Sequence, residues 1–267
     1  MKHHYLFILS LALGFASAAS AGQSNSTADL FRIGYFELAP HIVQGPDGEL
    51  YGPALEYTQR ILARMGNPAY ELKGYPVQRA LQMLQSGEID MVLFAAKTPV
   101  TDREAYVMTD SNIVLLRPAL VVKTTSKLAE PVAPQDLLDT TLAYWSGGHI
   151  PALLRHSDIN LIKVSGEAVY ERGIRMVELS RADAFFHVDG LALRWWLKNR
   201  ATTSDVRLVP LPIQVEGKSL FSQESAQRYK AAYEDALNAE QEIQSYTDFF
   251  LNYQFEDTNA LSGRSSH

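Results

Sequence analysis

Cysteine is absent from the 267 residues, so the chain has no disulfide, no thiolate metal ligand, no thiol nucleophile and no N-terminal cysteine for lipid attachment. Positive charge is in deficit: 24 Lys+Arg stand against 30 Asp+Glu, a formal net charge of -6. Nothing in that balance favours displacing counterions from a phosphate backbone, which argues against non-specific binding to nucleic acid, and no nucleic-acid partner is expected. Long apolar runs are missing beyond the N-terminus, where no segment approaches the roughly 18 residues of a membrane-spanning helix. Catalytic signatures are missing too: there is no G-x-S-x-G elbow, no H-E-x-x-H pair and no G-x-x-x-x-G-K loop. His41, His149, His156 and His187 lack metal-ligand spacing and read as structural or exposed, so neither a metal nor a cofactor is expected. What remains is 46% hydrophobic and 20% charged, the mix of a globular protein of one large or two smaller domains.

The N-terminus reads as an export signal. Lys2 precedes an apolar run from Leu6 to Ala18, and Ala19-Ser20-Ala21 forms an A-x-A cleavage pattern before Gly22. The run is too short to cross a hydrocarbon core of roughly 30 Å as a helix. A cleaved signal over 1–21 and a periplasmic protein that is not a lipoprotein are therefore expected.

Beyond it, strand and helix patterns alternate. Strands are predicted at 31–36, 70–75 and 89–96, the last nearly continuously apolar as in a strand buried on both faces. Helices are predicted at 53–65 and 78–85, the second with Ala80, Leu81 and Leu84 on one face and Gly87 at its stop. The pattern restarts with strands at 119–122, 141–145, 161–164, 184–188 and 206–209. Helices are predicted between them at 150–156, 168–179 and 191–199, and two more over 224–253. This is the grammar of parallel sheets covered by helices, in two α/β units with a helical C-terminus.

The motifs also resemble those of a known family. Leu84-Gln85-Ser86-Gly87-Glu88-Ile89-Asp90, then Thr98 to Arg103, is similar to the "LxxGxxD" and "T-x-x-R" elements of bacterial solute-binding proteins for polar amino acids. Asp136-Leu137-Leu138, Ser146-Gly147-Gly148 and Ser180-Arg181-Ala182-Asp183-Ala184 resemble that family's "DLKGK", "GT/GS" and "GRxDA" elements. The resemblance spans about residues 30 to 255 and implies a type 2 periplasmic-binding-protein fold, α/β and two-lobed. Each lobe would be a mainly parallel sheet flanked by helices, with two crossing segments. Lobe one would be 28–115 plus 214–256, lobe two 116–213, and 257–267 a tail. It further implies capture of a small zwitterionic or anionic solute, most often a polar amino acid, for an inner-membrane ABC permease, by a monomer that is not an enzyme. A periplasmic cyclohexadienyl dehydratase on the same fold and a binding module feeding a sensor are the alternatives.

Site candidates follow from that resemblance. Arg103 would grip the ligand's α-carboxylate through its planar fork, unless it is a surface arginine at a helix start. Ala96, Lys97 and Thr98 leave the C-terminal end of a parallel strand, where open sheets place ligands. Thr98 would offer a hydroxyl and an N–H, and Lys97 either a ligand contact or a solvated cation. Gly147 and Gly148 precede a predicted helix whose free N–H groups favour anions, or simply make a tight turn. Asp189 stands where the family presents a carboxylate to the ligand's ammonium, and before Gly190 it is equally an ordinary helix cap. Glu37 is a second partner for a cation. Tyr35, Phe36 and Tyr75 would stack on a side chain. Arg79, in a segment similar to the "PWxRA" element with Val77 for the tryptophan, would be a second anion contact. Trp195 and Trp196 are expected to pack a helix against lobe two, and Asp183 to organise a strand entry.

Overall fold

The computed structural model describes residues 30–36, 39–44, 49–97, 104–146, 148, 150–165, 168–200 and 205–253. They build two sheets. The first runs β4 (Tyr70–Gly74), β1 (Phe31–Tyr35), β5 (Met91–Ala96), β13 (Val215–Phe221) and β6 (Val107–Met108), with β7 (Val114–Leu116) also on β13. The second runs β10 (Asn160–Val164), β9 (Thr141–Trp145), β11 (Ala184–His187), β8 (Ala119–Lys123) and β12 (Val206–Pro210). In each, three neighbouring strands are parallel and the rest join antiparallel. The chain passes between the sheets twice, from β7 to β8 and from β12 to β13. A small hairpin of β2 (Val43–Gln44) and β3 (Leu50–Tyr51) stands apart.

The hydrophobic pattern explains the layers. Helix α1 (Pro53–Arg64) buries Leu55, Thr58, Ile61 and Leu62 at helical spacing, and Pro53 opens it where a missing N–H leaves nothing unpaired. Helix α2 (Val77–Gln85) buries Ala80, Leu81 and Leu84, the face read from the sequence. One core of the first lobe gathers Phe31, Ile33, Tyr57, Met91 and Leu93 with Tyr233, Tyr246 and Phe250 of the C-terminal helices. Those helices are α5 (Gln223–Ser225), continued by a π turn at Ala226–Lys230 into α6 (Ala231–Ile243), and α7 (Tyr246–Asn252). In the second lobe, α3 (Val169–Glu178) and α4 (Gly190–Asn199) cover one face of the sheet. Its other face buries Leu120, Leu142, Leu154 and Phe186.

Three differences from the sequence reading have physical causes. The helix expected at 150–156 is a single 3-10 turn, Ala152–Leu154, because Pro151 holds an extended ψ of 157° and Arg155 leaves helical geometry three residues on. Strands β6, β7 and β13 carry no clear period-2 signal. Val215-Glu216-Gly217-Lys218-Ser219-Leu220-Phe221 places polar residues where a central strand should be apolar. Lys218 is nonetheless buried, because its ammonium donates to the carbonyls of Thr109 and Asp110. Finally, Trp195 and Trp196 diverge: Trp196 packs on the second lobe, but Trp195 packs on the first lobe's core. Neighbours on a helix point about 100° apart, so one helix reaches both bodies.

Gly173 of α3 permits close helix–sheet approach. A Cβ there would lie 2.4 Å from Phe185 of β11. Overpacking costs about 1–3 kcal/mol and the helix gains only about 1 kcal/mol from alanine. Gly173→Ala is therefore expected to destabilise by up to about 2 kcal/mol net, measured by urea unfolding.

Candidate functional site

The parallel strands bring their C-terminal ends to one edge of each sheet, and the residues after those ends are where an open α/β sheet binds ligands. On the first sheet these are Tyr35 and Phe36 at the end of β1, Tyr75 after β4, and Ala96 and Lys97 at the end of β5. On the second they are Trp145, Ser146 and Gly148 at and beyond the end of β9, and His187, Val188 and Asp189 at and beyond the end of β11. A bulge shapes the β5 edge: the register with β13 slips between Lys218 and Leu220, and Phe94 takes a left-handed φ of 53°. Bulges bend a strand and re-aim its side chains. Here the Phe94 ring lands 4.6 Å from that of Tyr246.

Asp189 is the centre of the arrangement and only 1% exposed. It caps α4, its Oδ1 accepting from the N–H groups of Leu191 and Ala192 at 3.0 Å each. Its Oδ2 lies 2.5 Å from Nε2 of His41, which belongs to the first lobe. A carboxylate cannot donate, so Nε2 of His41 carries a proton. Nδ1 of His41 lies 2.5 Å from the Tyr246 hydroxyl, and the imidazole stacks at a tilt on Phe250 at 4.7 Å. Two local features hold His41 there: its carbonyl accepts from the Ala54 N–H at 2.9 Å, and Gly52, at φ 125°, leaves room that a Cβ would close to 2.6 Å from that carbonyl.

Burial alone would push the Asp189 carboxyl up; the His41 charge and hydrogen bond, with the Ala192 N–H, outweigh it and hold the group below the usual carboxylate range. His187 lies on the other side of Asp189. Its Nδ1 accepts from the Asp189 backbone N–H at 3.1 Å and lies 3.4 Å from the Tyr170 hydroxyl. The neutral ring thus carries its proton on Nε2, which is buried without a partner among the described residues. Burial lowers His187 to about 4, against the pull of Asp189. Tyr246 and Tyr170 are pushed up by burial and then by the Asp189 charge.

The remaining candidates are spread around this centre. Tyr35 is 4% exposed in the first lobe's core, while Phe36 and Tyr75 are half-buried against the opposite face, beside α2. Successive strand residues point to opposite faces, which separates Tyr35 from Phe36. Ala96 ends β5, and the ammonium of Lys97 pairs with Glu216 at 3.4 Å. Arg79, more than half exposed, lies 3.9 Å from Glu88. Gly148 closes a turn by donating to the Trp145 carbonyl. Asp183 accepts from the Thr141 N–H at the entry of β9, and Asp90 holds Arg32 through its backbone N–H and guanidinium. Arg103, Thr98, Gly147, Glu37 and His149 lie outside the described residues. Sequence reasoning missed His41, Tyr246, His187 and Tyr170 as members of a cluster. No local signal could have found it, since His41 stands 148 residues from Asp189 and 205 from Tyr246.

Two α/β sheets, crossed twice by the chain and joined at their junction by His41 and Asp189, constitute the two-lobed periplasmic-binding-protein fold. The chain is similar to the ligand-binding core of GluR0 from Nostoc punctiforme in complex with L-glutamate, at TM-score 0.67 and 15% identity over 82% of this chain and 97% of that one. It is similar to the probable amino-acid ABC transporter extracellular-binding protein ytmK from Bacillus subtilis, at TM-score 0.68 and 14% identity over 86% and 99%. It is also similar to the amino-acid ABC transporter substrate-binding protein AbpA from Streptococcus pneumoniae bound to L-arginine, at TM-score 0.65 and 16% identity over 84% and 94%. At such identities the likeness is one of fold. No protein-family model matches the sequence, and no curated protein sequence does. Among the described residues no helix is long and apolar enough to cross a membrane.

Proposed function

We propose that the protein is an exported binder that captures a small zwitterionic or anionic solute, a polar amino acid foremost, and delivers it to an inner-membrane ABC permease. It works as a monomer and carries out no chemistry on the solute. Residues 28–115 plus 214–256 form one jaw, 116–213 the other, and 1–21 are removed on export to the periplasm. The observation that carries this reading is the two-lobed fold, shared with structures solved around L-glutamate and L-arginine. On the first jaw Arg103, Thr98, Ala96 and Lys97 take the carboxylate end of the solute, with Arg79 as a second anion contact and Phe36 and Tyr75 as walls, while Tyr35, buried in the core, supports the jaw from behind. On the second, Gly147, Gly148 and Asp189 close over it. A solute shifts the jaws only if it binds the closed form more tightly than the open one, so its contacts must bridge both.

The test is the melting temperature of the chain from Gly22 against amino acids, dicarboxylates, polyamines and prephenate. A solute at about a hundred times its dissociation constant adds roughly 2.7 kcal/mol, and each kcal/mol raises the melting temperature by about 2–4 °C at this size. A shift of several degrees with one amino-acid class supports the reading, and turnover of prephenate overturns it. Arg103→Ala is expected to abolish that shift and the calorimetric binding signal while leaving the unliganded melting temperature unchanged. Retained affinity would remove Arg103 from the site.

A further inference from the structure

Five buried polar groups form one continuous row across the junction of the lobes. It begins at the Tyr246 hydroxyl of α7, passes through both nitrogens of His41 and the Asp189 carboxylate, and continues through the Asp189 N–H to His187 and the Tyr170 hydroxyl of α3. The first two members belong to the first lobe and the last three to the second. Val188, Leu191 and Trp195 flank the row and pack on the first lobe's core, so the contact is dry as well as polar. The His41 and Asp189 side chains are 5% and 2% exposed. A carboxylate so buried is stable only while paired, and its pairing partner here sits on the opposite lobe.

We infer that the His41–Asp189 contact is a built-in latch that holds the two lobes together without any bound solute. When the lobes part, Asp189 keeps its two bonds to the start of α4 but must take water in place of the imidazole. His41 remains anchored by Tyr246, so it is presented to Asp189 in one orientation and the latch re-forms without searching rotamers. The inference goes beyond the solute-binding reading and stands apart from it, because it concerns the unliganded protein. It also bears on that reading: a cationic solute group reaching Asp189 has to displace the imidazole.

The chain has no cysteine, so spin labels can be placed cleanly at Glu71→Cys on β4 and Lys163→Cys on β10, both exposed on outer strands of the two sheets. Pulsed electron–electron resonance on the unliganded protein is expected to give one short distance population. His41→Asn keeps a group to pair with Tyr246 but falls short of Asp189, and it is expected to move most of the population to longer distances. His41→Gln, whose amide N–H can stand where Nε2 stands, is expected to restore most of the short population. Should His41→Asn not fold, Asp189→Asn replaces it, since it retains the oxygen that caps α4 and loses the charge. A lengthened population in that variant supports the latch. An unchanged distance distribution in whichever variant folds would overturn the latch, whatever the solute panel shows.

Discussion

Asp189→Ala is expected to lower the stability of the protein by about 2–5 kcal/mol, the sum of a buried hydrogen-bond donor left unsatisfied and a lost helix cap. Two losses combine. His41 is left buried opposite nothing, and the Leu191 and Ala192 N–H groups at the start of α4 lose their acceptor. The lost cap alone is worth about 0.5–2 kcal/mol. The rest comes from desolvating the imidazole without compensation, which is why the exposed pairs elsewhere, such as Arg79–Glu88, are no guide. Chemical denaturation at neutral pH measures the effect. Asp189→Asn, which keeps an oxygen for the cap, is expected to lose less than Asp189→Ala. A cycle with His41→Ala is expected to show coupling of about 0.5–3 kcal/mol between the two residues. A loss below about 1 kcal/mol, the figure for a surface pair, would mean that water reaches the carboxylate in the folded protein.

The second large effect is an acid-side loss of stability set by His187. Its pKa falls from the usual 6.5 to about 4 in the folded protein. Between those values the unfolded chain binds a proton that the folded one refuses, so stability decreases as pH falls through that window and is fully retained above it. At 1.36 kcal/mol per pKa unit the single group contributes about 3 kcal/mol of loss by pH 4. Asp189 acts in the same direction at lower pH. Its depressed pKa gives stability that is present above the ordinary carboxylate value and lost as pH falls through the folded one. His187→Asn keeps an acceptor for the Asp189 N–H but cannot titrate. Its stability is expected to be lower at pH 7, because the ring no longer fills the space between Tyr170 and Trp145, and nearly flat from pH 6.5 to 4. If the variant shows the same acid slope as the parent chain, other groups are responsible.

Both effects concern residues whose importance the sequence marked unevenly. Asp189 stood out as an aspartate after a buried strand and before glycine, and both of its readings, cap or ligand anchor, were open. The structure shows the cap and adds a partner from the other lobe. His187 ended an apolar run and read as one more buried strand residue. Its burial was legible; its role as acceptor for the Asp189 N–H was not, because that depends on which way the ring turns at the strand end. His41 sat in a turn-rich stretch with no period at all, and only the packing of α1 and α7 around it removes it from water.

The sequence by itself determined the local grammar of this protein. Apolar runs such as Met91–Ala96 and Ala184–His187, short and bounded by turn residues, read as strands with both faces covered, and Ala80, Leu81 and Leu84 fall on one face of a helix. Periodicity is a property of neighbouring residues, so it survives in the unfolded chain's order of side chains. Tertiary structure alone decided three things: that Lys218 is buried on two carbonyls, that Trp195 and Trp196 part company between lobes, and that Asp189 meets His41. Each depends on groups far apart in the chain. The free energy of burying a charge is set by what faces it in space, which the order of residues does not state.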